Sequence, residues 1–242
     1  MRPRGVIAYS VRGYYAGHPP QMDANYRQHQ FHATTILNVR KGDKVVMIGD
    51  GQISLGNTVF KNTAKKLRRI DPDIVCGFAG SAADCLALIE LLERQFLKYP
   101  GQTMRACLSL AMMWRTNKMH SKLQADLIVS DPDITILLDG SGNCIEVENG
   151  CVGIGSGSLF AQSAATALLQ VESPELTAEY IAKTSMQIAA DLCIYTNHNT
   201  IMEVIPNRQN QKADEPKSEN TDKVSEHNVE LDQANENNKK DD

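Results

Sequence analysis

Long apolar runs are missing from this chain, and none approaches the roughly 20 residues needed to cross a bilayer. The six histidines are scattered. No H-E-x-x-H or other clustered ligand set occurs, which argues against a catalytic zinc. The six cysteines, Cys76, Cys85, Cys107, Cys144, Cys151 and Cys193, form no C-x-x-C pair. Most sit inside apolar runs such as IVCGFAG and DLCIYT, and they read as buried thiols of a reducing compartment. No glycine-rich turn ends in G-K-[ST], which disfavours nucleotide binding by this chain. The net charge of -4 gives no global case for binding nucleic acid or acidic membranes. What is present is ordinary for a soluble globular protein: 242 residues, 42% hydrophobic and 22% charged, enough for a core of normal size.

Three zones follow one another. Residues 1–33 carry Arg2, Arg4, Arg12 and Arg27 against the single acid Asp23. This basic leader reads either as a transit peptide or as a dispensable leader, with Met22 as a second candidate start. It has no long apolar stretch of the kind a secretory signal needs. Residues 34–206 are the expected folded domain. Residues 207–242 hold ten acids against six bases and no aromatic residue. Such a tail buries too little apolar surface to offset its ordering entropy, and it is expected to be disordered.

Within the domain, TTILNV and KVVMIGDG flank the turn Lys41-Gly42-Asp43 and predict a β-hairpin. GNTVF, AKKLRRI and DIVCGFAG predict further strands. The period then lengthens. SAADCLALIELLERQFLKY predicts a helix with Ser81 at its N-cap and Asp84 three residues on. MRACLSLAMMWRTNKMHSK predicts a second. ADLIVSD and ITILLD return to strand, and CVGIGSGS is a strand entering a glycine-rich turn. LFAQSAATALLQV and LTAEYIAKTSMQIAADLCIYT predict two more helices, the second capped by Thr177. The rhythm of strands, two helices, strands, two helices is that of an α+β protein with helices packed outside sheets.

Several residues could carry chemistry. The stretch HATTILNV places Thr34-Thr35 before an alternating apolar run. As strand residues these threonines are unremarked. As a chain terminus, Thr34 would combine a hydroxyl nucleophile with its own α-amine, a base whose pKa is near 7.7. That chemistry demands cleavage of the Ala33–Thr34 bond. Lys66 lies in AKKLRR, where a strand would place it on one face with Arg68. It reads as part of a solvated basic edge or a nucleic-acid patch, or else as a charge that stabilises anions and lowers the pKa of a neighbouring amine. Asp50, in IGDGQ, is either a turn former or a carboxylate buried beside a lysine. Gly77-Phe78-Ala79-Gly80 joins a strand to a helix, where backbone N–H groups can face an oxyanion or simply make a tight turn. Gly155-Ser156-Gly157-Ser158 has the same double reading.

Taken together and in order, these segments resemble the HslV (ClpQ) family of proteasome-like peptidases. The resemblance is carried by TTILNVRKGDKVVMIGDGQISLGNTVFKNTAKKLRRI, GFAGSAADCLALIELLERQF, MMWRTNKM, GIGSGS and IAADLCIYTNHNTIMEVI, and it spans about residues 34–205. It implies an N-terminal nucleophile hydrolase fold, a four-layer sandwich of two antiparallel sheets between helix layers. It implies a threonine endopeptidase with Thr34 as nucleophile, Lys66 beside it, Asp50 paired to that lysine, and Gly80 as the oxyanion amide. Ser156 matches a serine near the amine, and Asp191 completes the cluster. Ala190, Cys193 and Thr196 match positions whose backbone carbonyls hold a sodium-type cation. The family assembles as two stacked hexameric rings. A hexameric ATPase, HslU, feeds it unfolded protein, so ATP is the partner's cofactor. Neither nucleic acid nor a membrane is expected as a partner.

This chain departs from the family pattern in three places. Thirty-three residues precede Thr34, or twelve from Met22. Ala190 stands where the family has glycine, and GSGS replaces the usual GSGG. An uncut leader would leave a catalytically silent ring subunit, and a small-molecule amidase on the same fold is a further alternative. The expected compartment is the bacterial cytoplasm, or the mitochondrial matrix if the leader is a transit peptide.

Overall fold

The protein is described by a computed structural model that covers the backbone of residues 31–32 together with residues 34–116 and 125–208. The leader before Phe31 and the tail after Arg208 lie outside the described residues, as does the end of the second predicted helix. In chain order the strands before the first helix are β1 (Phe31–His32), β2 (Thr35–Lys41), β3 (Lys44–Asp50), β4 (Ile53–Leu55), β5 (Thr58–Lys61), β6 (Leu67–Asp71) and β7 (Ile74–Gly80). Helices α1 (Ala82–Lys98) and α2 (Thr103–Thr116) follow, then β8 (Ala125–Ser130), β9 (Thr135–Leu138), β10 (Cys144–Glu146) and β11 (Cys151–Gly155). Helices α3 (Ser158–Leu169) and α4 (Ala178–Leu192) and strand β12 (Thr200–Pro206) complete the described chain.

Period-two alternation in β2 and β3 sets the layers. Successive strand side chains point to opposite faces, and here both faces are buried. Ile36, Val45 and Met47 face a second sheet, whereas Leu37, Val39, Val46 and Ile48 face α3 and α4. The first sheet is four-stranded, in the order β11-β2-β3-β12, with antiparallel pairing throughout. The second is five-stranded, in the order β10-β9-β8-β7-β6. Its strands alternate likewise: Val75, Ala79 and Ile128 meet the first sheet, and Ile74, Cys76, Leu127 and Val129 pack under α1 and α2 with Leu88, Leu110 and Trp114. The architecture is therefore helices, sheet, sheet, helices, as the resemblance implies. A small third sheet, β1-β4-β5, lies apart. In it, Phe31 and His32 pair antiparallel with Leu55 and Ser54.

The expected hairpin closes at Lys41↔Lys44, and the four helices fall where the 3.6-residue spacing put them. Thr177 caps α4, its side chain accepting the Tyr180 N–H at 3.2 Å. Ser81 occupies the N-cap of α1 but its side chain makes no capping bond. The strand read into AKKLRRI starts only at Leu67. Lys66 precedes it and is 4% exposed, while Arg68 points to solvent. The two do not share a face, and the solvated-edge reading of Lys66 is thereby corrected. Strands β1, β4, β10 and β12 are additional to those predicted from periodicity. β4 and β10 have three residues each, too few to show a period. β12 is mostly half-buried along its length, which blurs alternation.

The far end of β2 is fixed by a buried guanidinium. Arg40 donates to the carbonyls of Pro132 and Asp131 and to Asn207 Oδ1, each at 2.8 Å. All six cysteines are free thiols. Burial pushes Cys85 up to about 12 and raises Cys76 and Cys107 as well, so these thiols are unreactive core residues. No helix among the described residues is long and apolar enough to cross a membrane.

Candidate active site

The hairpin register brings the site together. β2 and β3 pair with Ile36 opposite Gly49, so Thr35 at the head of β2 stands beside Asp50 at the end of β3. The Thr35 N–H donates to Asp50 Oδ1 at 2.7 Å. Lys66 reaches the same oxygen: Nζ lies 2.7 Å from Asp50 Oδ1, with the two side chains 5% and 0% exposed. The Lys66 ammonium is thus within two hydrogen-bond lengths of the amide that follows Thr34. The Phe78 N–H donates to the Lys66 carbonyl at 3.2 Å and ties this residue to β7. Asp50 Oδ2 accepts the N–H of Gln52 at 2.9 Å and that of Asn197 at 3.4 Å. One carboxylate therefore collects four donors, which is what a buried charge requires. Burial holds the Lys66 pKa below the ordinary lysine value, and the charge and hydrogen bond of Asp50 oppose that shift.

Thr34 is 8% exposed and immediately precedes β2. Its carbonyl accepts the Ser156 N–H at 2.8 Å. The preceding residue must be glycine: Gly155 has φ +89°, and an added Cβ would stand 1.9 Å from the Thr34 oxygen. Ser156 itself is exposed and contributes this backbone bond. Gly80 ends β7 at φ 130°, and Ser81, the N-cap of α1, follows it.

Asp191 lies elsewhere in character. It is largely exposed on α4 and its carboxylate meets His198 Nε2 at 3.2 Å. Ala190, Cys193 and Thr196 follow one another through the end of α4, where terminal carbonyls lack intrahelical donors. Cys193 is the C-cap, its N–H donating to the Ala189 carbonyl at 2.8 Å and its own carbonyl accepting the Thr196 N–H at 3.0 Å. A carbonyl has a second lone pair, so the Cys193 oxygen keeps acceptor capacity beyond its bond to the Thr196 N–H.

Three residues around the site carried no assigned role in the sequence reading: Thr35, Gln52 and Asn197. Thr35 Oγ1 lies 2.7 Å from Thr196 Oγ1 and accepts the Gly157 N–H at 2.9 Å. Gln52 Nε2 donates to the Ile194 carbonyl at 2.9 Å. Asn197 Oδ1 accepts the Gly51 N–H at 3.2 Å. Nothing local separates Thr35 from any strand threonine, and its partners are distant in sequence.

Comparison with known proteins agrees with this geometry. The sequence model of the family described as "Proteasome subunit" matches residues 30–205. The "ATP-dependent protease subunit HslV" of Wolbachia sp. subsp. Brugia malayi (strain TRS) is 50% identical over 175 residues, 72% of this chain and 98% of that protein. The crystal structure of eukaryotic HslV from Trypanosoma brucei superposes with a TM-score of 0.68 at 46% identity, covering 71% of this chain and 99% of the other. A Thiobacillus denitrificans protein, BPH in complex with epoxomicin, shares the fold alone, with a TM-score of 0.58 at 21% identity over 71% of this chain and 98% of its own. With half of 175 aligned residues identical to one HslV and nearly the whole length of another superposed on it, the chain belongs to the proteasome subunit family and, within it, to HslV.

Proposed function

We propose that the chain is the peptidase subunit of an ATP-dependent protease and that Thr34, once exposed as the chain terminus, is its nucleophile. The observation that carries this reading is the buried Asp50–Lys66 pair, whose shared oxygen also holds the amide next to Thr34. A positive charge fixed beside a hydroxyl stabilises an alkoxide and lowers the pKa of a nearby amine. In the reaction, Thr34 Oγ attacks the scissile carbonyl while the α-amine takes the hydroxyl proton. The Gly80 N–H receives the oxyanion of the tetrahedral intermediate. Collapse transfers the proton to the departing amine and leaves an ester on Thr34. The α-amine then takes a proton from water, whose oxygen attacks the ester, and a second collapse frees the acid and restores Thr34. Ser156 holds the Thr34 carbonyl through its N–H. Asp191, beside His198 at the surface, orients the loop after α4 and takes no proton in this scheme.

Residues 1–33 are a leader to be removed. Phe31 and His32 pair antiparallel with Leu55 and Ser54 of β4 just ahead of the Ala33–Thr34 bond, where the cut would fall. Assembly into stacked rings with an HslU-type ATPase, with unfolded chains as substrate, agrees with the apolar side chains left exposed on the outer helices. Leu97 is 85%, Met112 68% and Leu159 76% exposed. The carbonyls of Ala190, Cys193 and Thr196 would hold a sodium-type cation, which supplies charge to fix the loop. Free thiols throughout point to a reducing compartment, the cytoplasm or an equivalent matrix.

The test is the N-terminal sequence and intact mass of the protein expressed in its own host, together with Thr34→Ala. The expected mature chain begins Thr-Thr-Ile, and Thr34→Ala abolishes peptide hydrolysis without dispersing the assembly. Retention of residues before Thr34 in an active particle overturns the reading, because an acylated amine has no basicity.

A further inference from the structure

The exposed apolar helix faces, the thiols under α1 and α2 and the Arg40 network are accounted for by assembly or by core structure. The hydroxyl of Thr35 is not. It is fully buried and meets Thr196 Oγ1 and the Gly157 N–H, so it joins three separate parts of the chain. These are the head of β2, the turn between β11 and α3, and the loop between α4 and β12. The junction has no spare room: a Cβ on Gly157 would stand 2.5 Å from Thr196 Oγ1 and 2.6 Å from Thr35 Oγ1. The Thr35 N–H is meanwhile taken by Asp50. Both the N–H and the hydroxyl of the residue bonded to Thr34 are therefore fixed, one by the charged pair and one by the two loops.

We propose that Thr35 is a positioning residue: its hydroxyl, held by Thr196 and Gly157, sets the place of Thr34 and transmits to it the position of the loop between α4 and β12. The inference rests on Thr34 being the nucleophile. A displacement of about 1 Å at a reacting group lowers a rate by roughly 100-fold, so loss of the link is read in turnover before it is read in substrate binding. Thr35→Val keeps the shape and removes the hydroxyl.

The full-length chain carrying Thr35→Val, Thr35→Ser, Thr196→Val or Thr34→Ala is expressed, and hydrolysis of a fluorogenic tripeptide amide is measured per assembled particle. Thr35→Val is expected to lower kcat about 10- to 100-fold with KM within about threefold. Thr35→Ser restores kcat to within about threefold, because it restores the hydroxyl. Thr196→Val lowers kcat in the same direction, and adding it to Thr35→Val brings no further loss, since both remove one link. If Thr35→Val does not assemble, Thr196→Val reads the same link with the Gly157 bond left in place. Wild-type kcat in assembled Thr35→Val or Thr196→Val, with only the melting temperature lowered, overturns the proposal while an inactive Thr34→Ala leaves the nucleophile standing. An active Thr34→Ala overturns both.

Discussion

Asp50→Asn should separate stability from catalysis at the centre of the site. The carboxylate accepts Lys66 Nζ, the Thr35 N–H, the Gln52 N–H and the Asn197 N–H, and it is wholly buried. An asparagine of the same shape has one accepting oxygen, so its amide NH2 faces at least one of these donors. Leaving a buried charge without its partner costs about 3–5 kcal/mol, and a stranded backbone donor about 1–3 kcal/mol. Lys66 escapes part of this by releasing its proton, because burial already holds its pKa below the ordinary value and the opposing Asp50 is gone. A net loss of about 3 kcal/mol is expected, which for a domain of this size lowers the melting temperature by about 10 °C. The sign with pH follows from proton binding. A lysine whose folded pKa is depressed binds fewer protons folded than unfolded, so stability rises with pH through the interval between the folded pKa and the unfolded value near 10.4. In the variant that interval extends lower, so its deficit against wild type narrows as pH is raised above neutrality. Turnover should not recover with it, because the fixed cation is lost, and kcat falls roughly 100- to 1,000-fold. Adding Lys66→Met, which removes the stranded charge, should restore at least half of the lost stability and none of the activity. Thermal unfolding and peptide hydrolysis across pH measure both. A double variant as unstable as the two single variants summed would refute the reasoning, as would Asp50→Asn with wild-type turnover.

Two further outcomes probe the frame around the site. Gly155→Ala places a methyl on the Thr34 carbonyl and forces a non-glycine residue to φ +89°; it should lose about 2 kcal/mol or more and most peptide hydrolysis, and a variant with unchanged kinetics would show that the turn yields freely. Thr177→Ala removes the cap that accepts the Tyr180 N–H; it should cost about 1 kcal/mol in thermal unfolding and leave kcat and KM alone, since α4 is still held by its apolar face against β2 and β3.

How much of this was legible in the chain divides along physical lines. Elements whose burial repeats at a fixed period could be read directly. β2 and β3 were legible because two sandwiching layers bury both their faces, and α4 because a capping threonine precedes a clean apolar stripe. The strand pattern put Lys66 on one face with Arg68 because its neighbours Lys65, Arg68 and Arg69 do face solvent. Composition averages over the stretch, and its one inward basic side chain is set by a carboxylate sixteen residues earlier. Asp50 stayed ambiguous for the same reason: a turn former and a buried carboxylate are the same residue until its donors are known. Those donors come from Thr35, Gln52, Lys66 and Asn197, four places that only the folded chain joins. The register of the β2–β3 hairpin was nevertheless implicit in its turn. Once Lys41 meets Lys44, period-two pairing must carry Thr35 to Asp50, so the side chain that anchors the site follows from the turn residues Gly42-Asp43 and the equal lengths of two strands. The contacts of Thr35 with Gly157 and Thr196 follow from no such local rule. They depend on how α3 and α4 close over the first sheet, and that packing is a property of whole helix faces rather than of the threonine itself.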